Sequence, residues 1–235
     1  MYKASTAPAH NSAMAPSSAS SNECRSLVPD SRYEMTRKAA VELFARRGFS
    51  NVSMRDLAVQ IGISPGSIYN HTESKEALLF ELIESIYLDL LSLVPKQRKN
   101  QSEPGSALIN LIKKHVHLHE KKSWYFWLAE HEAGCLSPAN HEKTLKLRQR
   151  YETHFARLLS HLLREESEAV QLAIPPVLVG ILNNLPAWLK LCPLSRDQRS
   201  QLIVDMALGA VYATLSKQGA SRFSQLIPKS ADSAK

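Results

Sequence analysis

Residues 53–75 read SMRDLAVQIGISPGSIYNHTESK, and the punctuation of this stretch decides the fold. Ser53 is placed to cap a helix, with Asp56 three residues on as the reciprocal carboxylate of a capping box. Met54, Leu57, Ala58 and Ile61 fall on one apolar stripe. Gly62 supplies the left-handed residue that ends the helix. Ser64 starts a second helix, with Pro65 where a missing N–H costs nothing. Ile68 regains the buried face after one turn. The pattern predicts helix, tight turn and short second helix, a helix-turn-helix whose second member can lie in the major groove of DNA. The expectation is a DNA-binding protein and not an enzyme.

Working outward, Ser31-Arg32-Tyr33-Glu34 forms another capping box, opening a helix with Met35, Ala39, Ala40, Leu43 and Phe44 as its core stripe. Gly48 ends it. Downstream, Ser74 caps a long helix with Leu78, Leu79, Leu82, Ile83, Ile86 and Leu90 inside, stopped or kinked by Pro95. Residues 95–104 (PKQRKNQSEP) read as a polar linker. Helices are then expected over about 105–120, 122–134, 138–165, 167–190 and 195–218, with Pro175–Pro176 breaking or kinking the fourth. The fold class is all-α. The domain reading is a disordered tail over 1–29, a DNA-binding domain over 30–94, a ligand-binding and dimerisation domain over 95–222, and a flexible tail over 223–235.

The 235 residues carry 29 Lys and Arg against 22 Asp and Glu, yet this excess does not mark the DNA surface. Residues 30–94 hold 7 basic and 9 acidic residues, and residues 95–122 hold 7 and 2. Contact with DNA must therefore rest on a few placed groups and backbone amides. Cys24, Cys135 and Cys192 form no paired motif and fit thiols in a reducing compartment; redox sensing at Cys135 competes with an idle thiol. No apolar run is read as a membrane span, no signal peptide is read, and the expected location is cytoplasmic, without a membrane partner. No nucleophile elbow, phosphate loop or zinc-protease motif is present, so neither an enzyme nor a cofactor is expected.

Residues 36–82 closely resemble the N-terminal domain of TetR-type transcriptional regulators. The likeness is carried by the A-x-x-L-F-x-x-x-G-F end of the first helix, the Ser before the second, the A-x-x-x-G-I-S turn, and Y-x-H followed by S-K-E. Thr72 departs from it, standing where the family usually has an aromatic. The resemblance implies an all-helical homodimer on double-stranded DNA, with a small-molecule effector in the C-terminal domain and repression as the usual action. The alternative is a helix-turn-helix dimer without an effector.

Candidate DNA contacts follow from position. Ser64, Gly66 and Ser67 offer free amides at a helix start. Tyr69, Asn70 and His71 line the outer side of the short helix. Lys75, in the first turn of the next helix, is expected to hold a phosphate, and Ser53 and Arg55 to clamp the flanking backbone. Tyr69 could instead pack under the following helix, His71 could cap or pack, and Asp56 competes for Arg55.

The C-terminal domain offers weaker signals. Trp124 and Trp127 share a helix side, followed by Glu130 and His131, a mixture suited to a pocket or to plain packing. Phe155 lies on the apolar side of the long helix over 138–165. This helix, with Asn184 and Trp188, resembles an acyl-CoA-responsive branch of the family. That likeness makes Arg148 and Arg150 candidates for the nucleotide end of an acyl-CoA, against ordinary solvated arginines. His115 and His119 share a face, but no third ligand is near, so no metal is expected. Leu202, Ile203, Met206, Ala207, Ala210, Val211 and Thr214 make a stripe for dimerisation or for packing inside one subunit.

Overall fold

The computed structural model describes residues 31–94 and 104–226. The expected tail over 1–29 and the linker up to residue 103 lie outside the described residues. Within them, every regular element is helical: α1 (Ser31–Arg47), α2 (Met54–Ile61), α3 (Pro65–Tyr69), α4 (Lys75–Ser92), α5 (Pro104–His131), α6 (Pro138–Leu163), α7 (Glu168–Leu189), α8 (Arg196–Ala213) and α9 (Lys217–Leu226).

The head, α1–α3 and the start of α4, closes on Phe44, Leu57, Ile68, Leu78, Leu79 and Leu82, all at most 1% exposed. Full burial of each such side chain contributes about 1.5–3 kcal/mol. Gly48 ends α1 at φ 82°, and the turn drops Phe49 edge-on against Phe44 at 5.2 Å. The α1 stripe is rotated from the expected one. Met35 is exposed while Thr36 and Val41 are buried, because the helix buries one flank against α2 and another against α4 and α5.

Helix α4 belongs to both halves. Its far end (Ile83, Ile86, Leu90) is buried with Leu111, Ile112, Phe126, Tyr151 and Phe155 in one continuous core. Helix α5 bends at Lys122 (φ −127°, ψ 35°), where two separate helices were expected. On α6 Thr144 is buried with Tyr151, Phe155, Leu159, Leu162 and Leu163, and Leu145 faces out.

Three expectations need correction. First, α7 runs unbroken through Pro175, Pro176 and Pro186. Proline's own φ is helical; its cost is the lost N–H and the crowded carbonyl four residues earlier. For Pro175 and Pro176 those carbonyls belong to the exposed residues Gln171 and Leu172, within reach of solvent, whereas for Pro186 the carbonyl belongs to the buried Leu182. Second, α7 is long and apolar enough to cross a membrane by length and composition, with 39% of its apolar window buried in the chain; polar Asn183 and Asn184 hid this from a search for continuous apolar runs. It packs on α5, α6 and α8. Third, the expected helix over 195–218 is two, α8 and α9. Phe223 is buried against the core, so the flexible tail expected from 223 does not begin there; residues 227–235 lie outside the described residues.

Candidate nucleic-acid interface

The caps that position the short helix form as the chain chemistry dictates. Ser53 N–H donates to Asp56 Oδ2 at 2.7 Å, and Asp56 N–H donates to Ser53 Oγ at 3.1 Å. The Ser53 hydrogen bonds hold the Asp56 carboxyl below its usual range. Gly62 sits at φ 71°, and Ile63 N–H reaches back to Ala58 O at 3.0 Å, closing α2 in the manner of a Schellman turn. Ser67 N–H donates to Ser64 Oγ at 3.3 Å, and Pro65 occupies the first turn of α3.

This frame buries Ile68 at 1% exposure and turns the opposite edge outward. Ser64, Gly66, Tyr69, Asn70 and His71 are exposed, and Ser67 is half-buried. Tyr69 is 52% exposed, so it does not pack under α4. A Cβ on Gly66 would meet only Ser64 Oγ, at 4.0 Å, so the backbone here is open to a close partner. His71 lies past the end of α3, its ring 5.4 Å from that of Tyr33. Ser53 and Arg55 are exposed at the start of α2. Thr72 is buried and donates to Ser74 O at 3.1 Å, filling the space between α3 and α4 with a hydrogen bond where an aromatic was the family norm.

Lys75 departs from its expected place. Its ammonium donates to Phe49 O and Val52 O, both at 2.9 Å, and sits 4.2 Å from the Phe49 ring centroid. Two of its three donors are spent inside the head, tying α4 to the turn that precedes α2. The carbonyls it meets lie 23 and 26 residues earlier in the chain, so first-turn reasoning could not find them.

The residues expected to line an effector pocket are not brought together. Glu130 accepts from Arg148 Nη1 at 3.2 Å and Asn183 Nδ2 at 2.6 Å, and Arg148 Nε donates to Glu152 at 2.9 Å. Burial works against the Arg148 cation, and Glu130, Tyr87 and Glu152 outweigh it. The same burial pushes Tyr87 up to about 12. Trp127 stacks on His131 at 4.7 Å, and Phe155 is wholly buried. Asn184 donates to Gly180 O at 3.0 Å. Arg150 is exposed, as are Trp124 and Trp188. The polar side chains among them satisfy one another or face solvent, and Glu130 and Arg148 keep side-chain exposures of 14% and 26%. The described cavity of ≈ 410 Å³ lies elsewhere, between α5, α7 and α8.

His115 and His119 are buried side by side. His115 Nδ1 lies 3.1 Å from the Tyr151 hydroxyl, and His119 Nε2–H donates to Asn183 O at 2.9 Å. Burial lowers them to about 3 and about 4, which keeps both neutral. Among the described residues, no three His, Cys, Asp or Glu converge as a metal site. The Cys135 thiol donates to Glu132 at 3.4 Å. Burial and this carboxylate raise its pKa, the opposite of what a reactive thiolate needs.

Residues 37–82 match the family model for bacterial regulatory proteins of the tetR family. An uncharacterised HTH-type transcriptional regulator from Haemophilus influenzae is 35% identical over 80 residues, 32% of this chain and 39% of that protein. The HTH-type transcriptional repressor KstR2 from Rhodococcus jostii is 41% identical over 51 residues, 22% of this chain and 25% of the repressor. The chain thus spans well under half the length of these curated relatives. A TetR-family regulator from Bordetella parapertussis superposes with a TM-score of 0.69 at 17% identity, over 80% of this chain and 100% of that one. AibR, solved with isovaleryl coenzyme A and operator DNA, gives 0.64 at 18% identity, over 74% and 97%. Residues 37–82 thus carry a head of the tetR-family type, and the chain shares the all-helical fold of TetR-family structures.

Proposed function

We propose that the chain is a sequence-specific DNA-binding transcriptional regulator, a homodimeric repressor released by a small-molecule ligand. The observation that carries this is the edge Ser64–His71: the short helix Pro65–Tyr69 seated on buried Ile68, with Asn70 and His71 following it, its polar side outward. Tyr69, Asn70 and His71 supply groups for base edges or backbone oxygens, and Ser53, Arg55, Ser64, Gly66 and Ser67 supply phosphate contacts. Helix α3 holds neither Arg nor Lys, so bidentate reading of guanine is absent from it and DNA shape carries more of the specificity. The repressor reading is supported by the name of KstR2.

Dimerisation is supported by an apolar face on α7 and α8. Leu172, Val177, Trp188, Leu202 and Met206 are exposed, and a Cβ built on Gly180 or Gly209 meets nothing within 4 Å, which leaves room for a close helix partner. The expected stripe splits in two: Ile203, Ala207 and Val211 serve the subunit's own core, while Leu202 and Met206 face out. An acyl-CoA is the effector class to test first, supported by the AibR complex. A regulator with no effector is the second reading, favoured by the self-satisfied Glu130–Arg148–Glu152 network.

Selection of bound sequences from random duplex DNA, repeated with isovaleryl coenzyme A added, tests all of this. The expected product is a two-fold symmetric site, lost or weakened by the thioester. Failure to enrich any sequence overturns the regulator reading. A site indifferent to thioesters leaves the DNA reading intact and removes the acyl-CoA.

A further inference from the structure

We propose that the cleft between α5, α7 and α8 binds a small anion that also carries a hydroxyl or N–H donor, such as a phosphorylated polyol. The cleft encloses ≈ 410 Å³, within the range of small-ligand pockets. Four cations line it: Lys121 from α5, Lys190 just past α7, and Arg196 and Arg199 from the first turn of α8. Glu120 is the carboxylate among the lining residues, and it is consumed by Arg196 Nε at 2.6 Å. Three positive charges are therefore left over.

Two of those cations are held in place by neutral groups. Lys190 Nζ donates to Ser123 Oγ at 2.9 Å and Arg199 Nη1 to Leu194 O at 2.6 Å. Each interaction fixes a side chain without cancelling its charge. The placement of the arginines is also uphill for the helix itself. The first turn of a helix already bears partial positive charge from its free amides, and it favours anions. Arg196 and Arg199 stand there at the head of α8. A bound anion would resolve both conflicts at once.

The donor half of the ligand is argued from His119, which also lines the cleft. Its Nε2 donates to a carbonyl, so in the neutral ring Nδ1 is a lone-pair acceptor. That atom is buried and has no partner. Buried polar atoms in native structures are almost always paired, and a hydroxyl or amide hydrogen from a ligand is the partner this one lacks.

The proposal names effector chemistry and so deepens the regulatory reading, but binding is measured without DNA. Calorimetric titration of the full chain would use glycerol 3-phosphate, inorganic phosphate and glycerol. One glycerol 3-phosphate per chain is expected, held about tenfold more tightly than inorganic phosphate, the worth of one good buried hydrogen bond; glycerol alone gives no heat. Lys190→Gln and Arg199→Gln each weaken glycerol 3-phosphate about tenfold or more. Lys190 is exposed and touches only a serine hydroxyl, so its variant tests the site without disturbing the fold. Equal affinity for the two phosphates removes the donor half of the proposal. No heat at millimolar ligand, or heat unmoved by both variants, overturns it. Operator binding by the same chain, read by gel shift without ligand, stands or falls separately.

Discussion

Lys75→Met is the substitution that best separates a structural lysine from a DNA-binding one. Methionine keeps the unbranched stem over Phe49 and removes the ammonium. Two charge-assisted hydrogen bonds are lost, to Phe49 O and Val52 O, with the contact to the Phe49 ring. Bonds of this kind are worth roughly 1.5–3 kcal/mol each, and a half-buried cation over the buried Phe49 ring about 0.5–2 kcal/mol. Against this stand the freed rotamer entropy, up to about 2 kcal/mol, and water's access to a half-buried site. The net expectation is a loss of about 2 kcal/mol, which for a chain of this size lowers the melting temperature by about 4–8 °C.

The assay is thermal and urea unfolding by circular dichroism in the absence of DNA, followed by affinity for a selected operator across a salt series. A lysine that only holds a phosphate behaves in the opposite way. Its removal leaves unfolding untouched and reduces the slope of log K against log salt by about 0.9. An unchanged melting temperature combined with that drop in slope would refute the structural reading of Lys75.

Other outcomes follow from the same coordinates. Tyr69→Ala removes a side chain 52% exposed, so operator affinity falls by about 1–3 kcal/mol while stability stays within about 0.5 kcal/mol; gel shift and urea midpoints check both. Met206→Glu puts a charge on the exposed face of α8 and should give a monomer of unchanged helix content by light scattering and circular dichroism. Buried His115 and His119 are held neutral, at about 3 and about 4, so below about pH 6.5 the unfolded chain takes up protons that the folded chain refuses. Their stability contribution is present above that pH and declines by about 1.4 kcal/mol per pH unit per histidine as pH falls toward 4. Urea midpoints at pH 7.5 and 5.5 measure it, and an imidazole NMR titration with midpoints near 6.5 in the folded chain would contradict it.

What could be read from the chain was local. Ser53, Ser64, Ser74 and Ser195 cap helices as expected, because a cap is a contact over three residues and needs no tertiary information. The exposed edge of α3 was readable for the same reason, since one buried Ile68 fixes the rotation of so short a helix. The errors are those of helices touched on several sides. Met35 fits a single stripe on paper, but its helix buries Thr36 instead. The prolines of α7 argued for a break, and the exposure of Gln171 and Leu172 eases the Pro175–Pro176 pair but not Pro186, four residues after the buried Leu182. The cationic cleft joins Lys121, Lys190 and Arg199 across about 80 residues, and no window along the sequence contains it.

The head and the body are joined by apolar packing, through α4 and through α1 against α5, and by polar contacts, and the difference bears on how one could inform the other. Helix α4 is shared and apolar, with Leu82, Ile83, Ile86 and Leu90 fully buried. Close-packed side chains of that kind transmit displacement but do not tolerate sliding. The second connection is polar and runs through the segment between α5 and α6. Glu132 Oε1 accepts from Phe49 N–H at 3.1 Å, while Glu76 Oε1, on α4, accepts from Ser137 N–H at 2.9 Å and Asn140 Nδ2 at 3.1 Å. Phe49 is thus gripped from both sides: its N–H by the body and its carbonyl by Lys75 of α4. Three residues later the chain reaches Val52, held by the same lysine, and then the cap of α2. Movement of α5 beyond its bend at Lys122 would pull on Glu132 first, and so on the turn that sets the direction in which α2 and α3 leave the core.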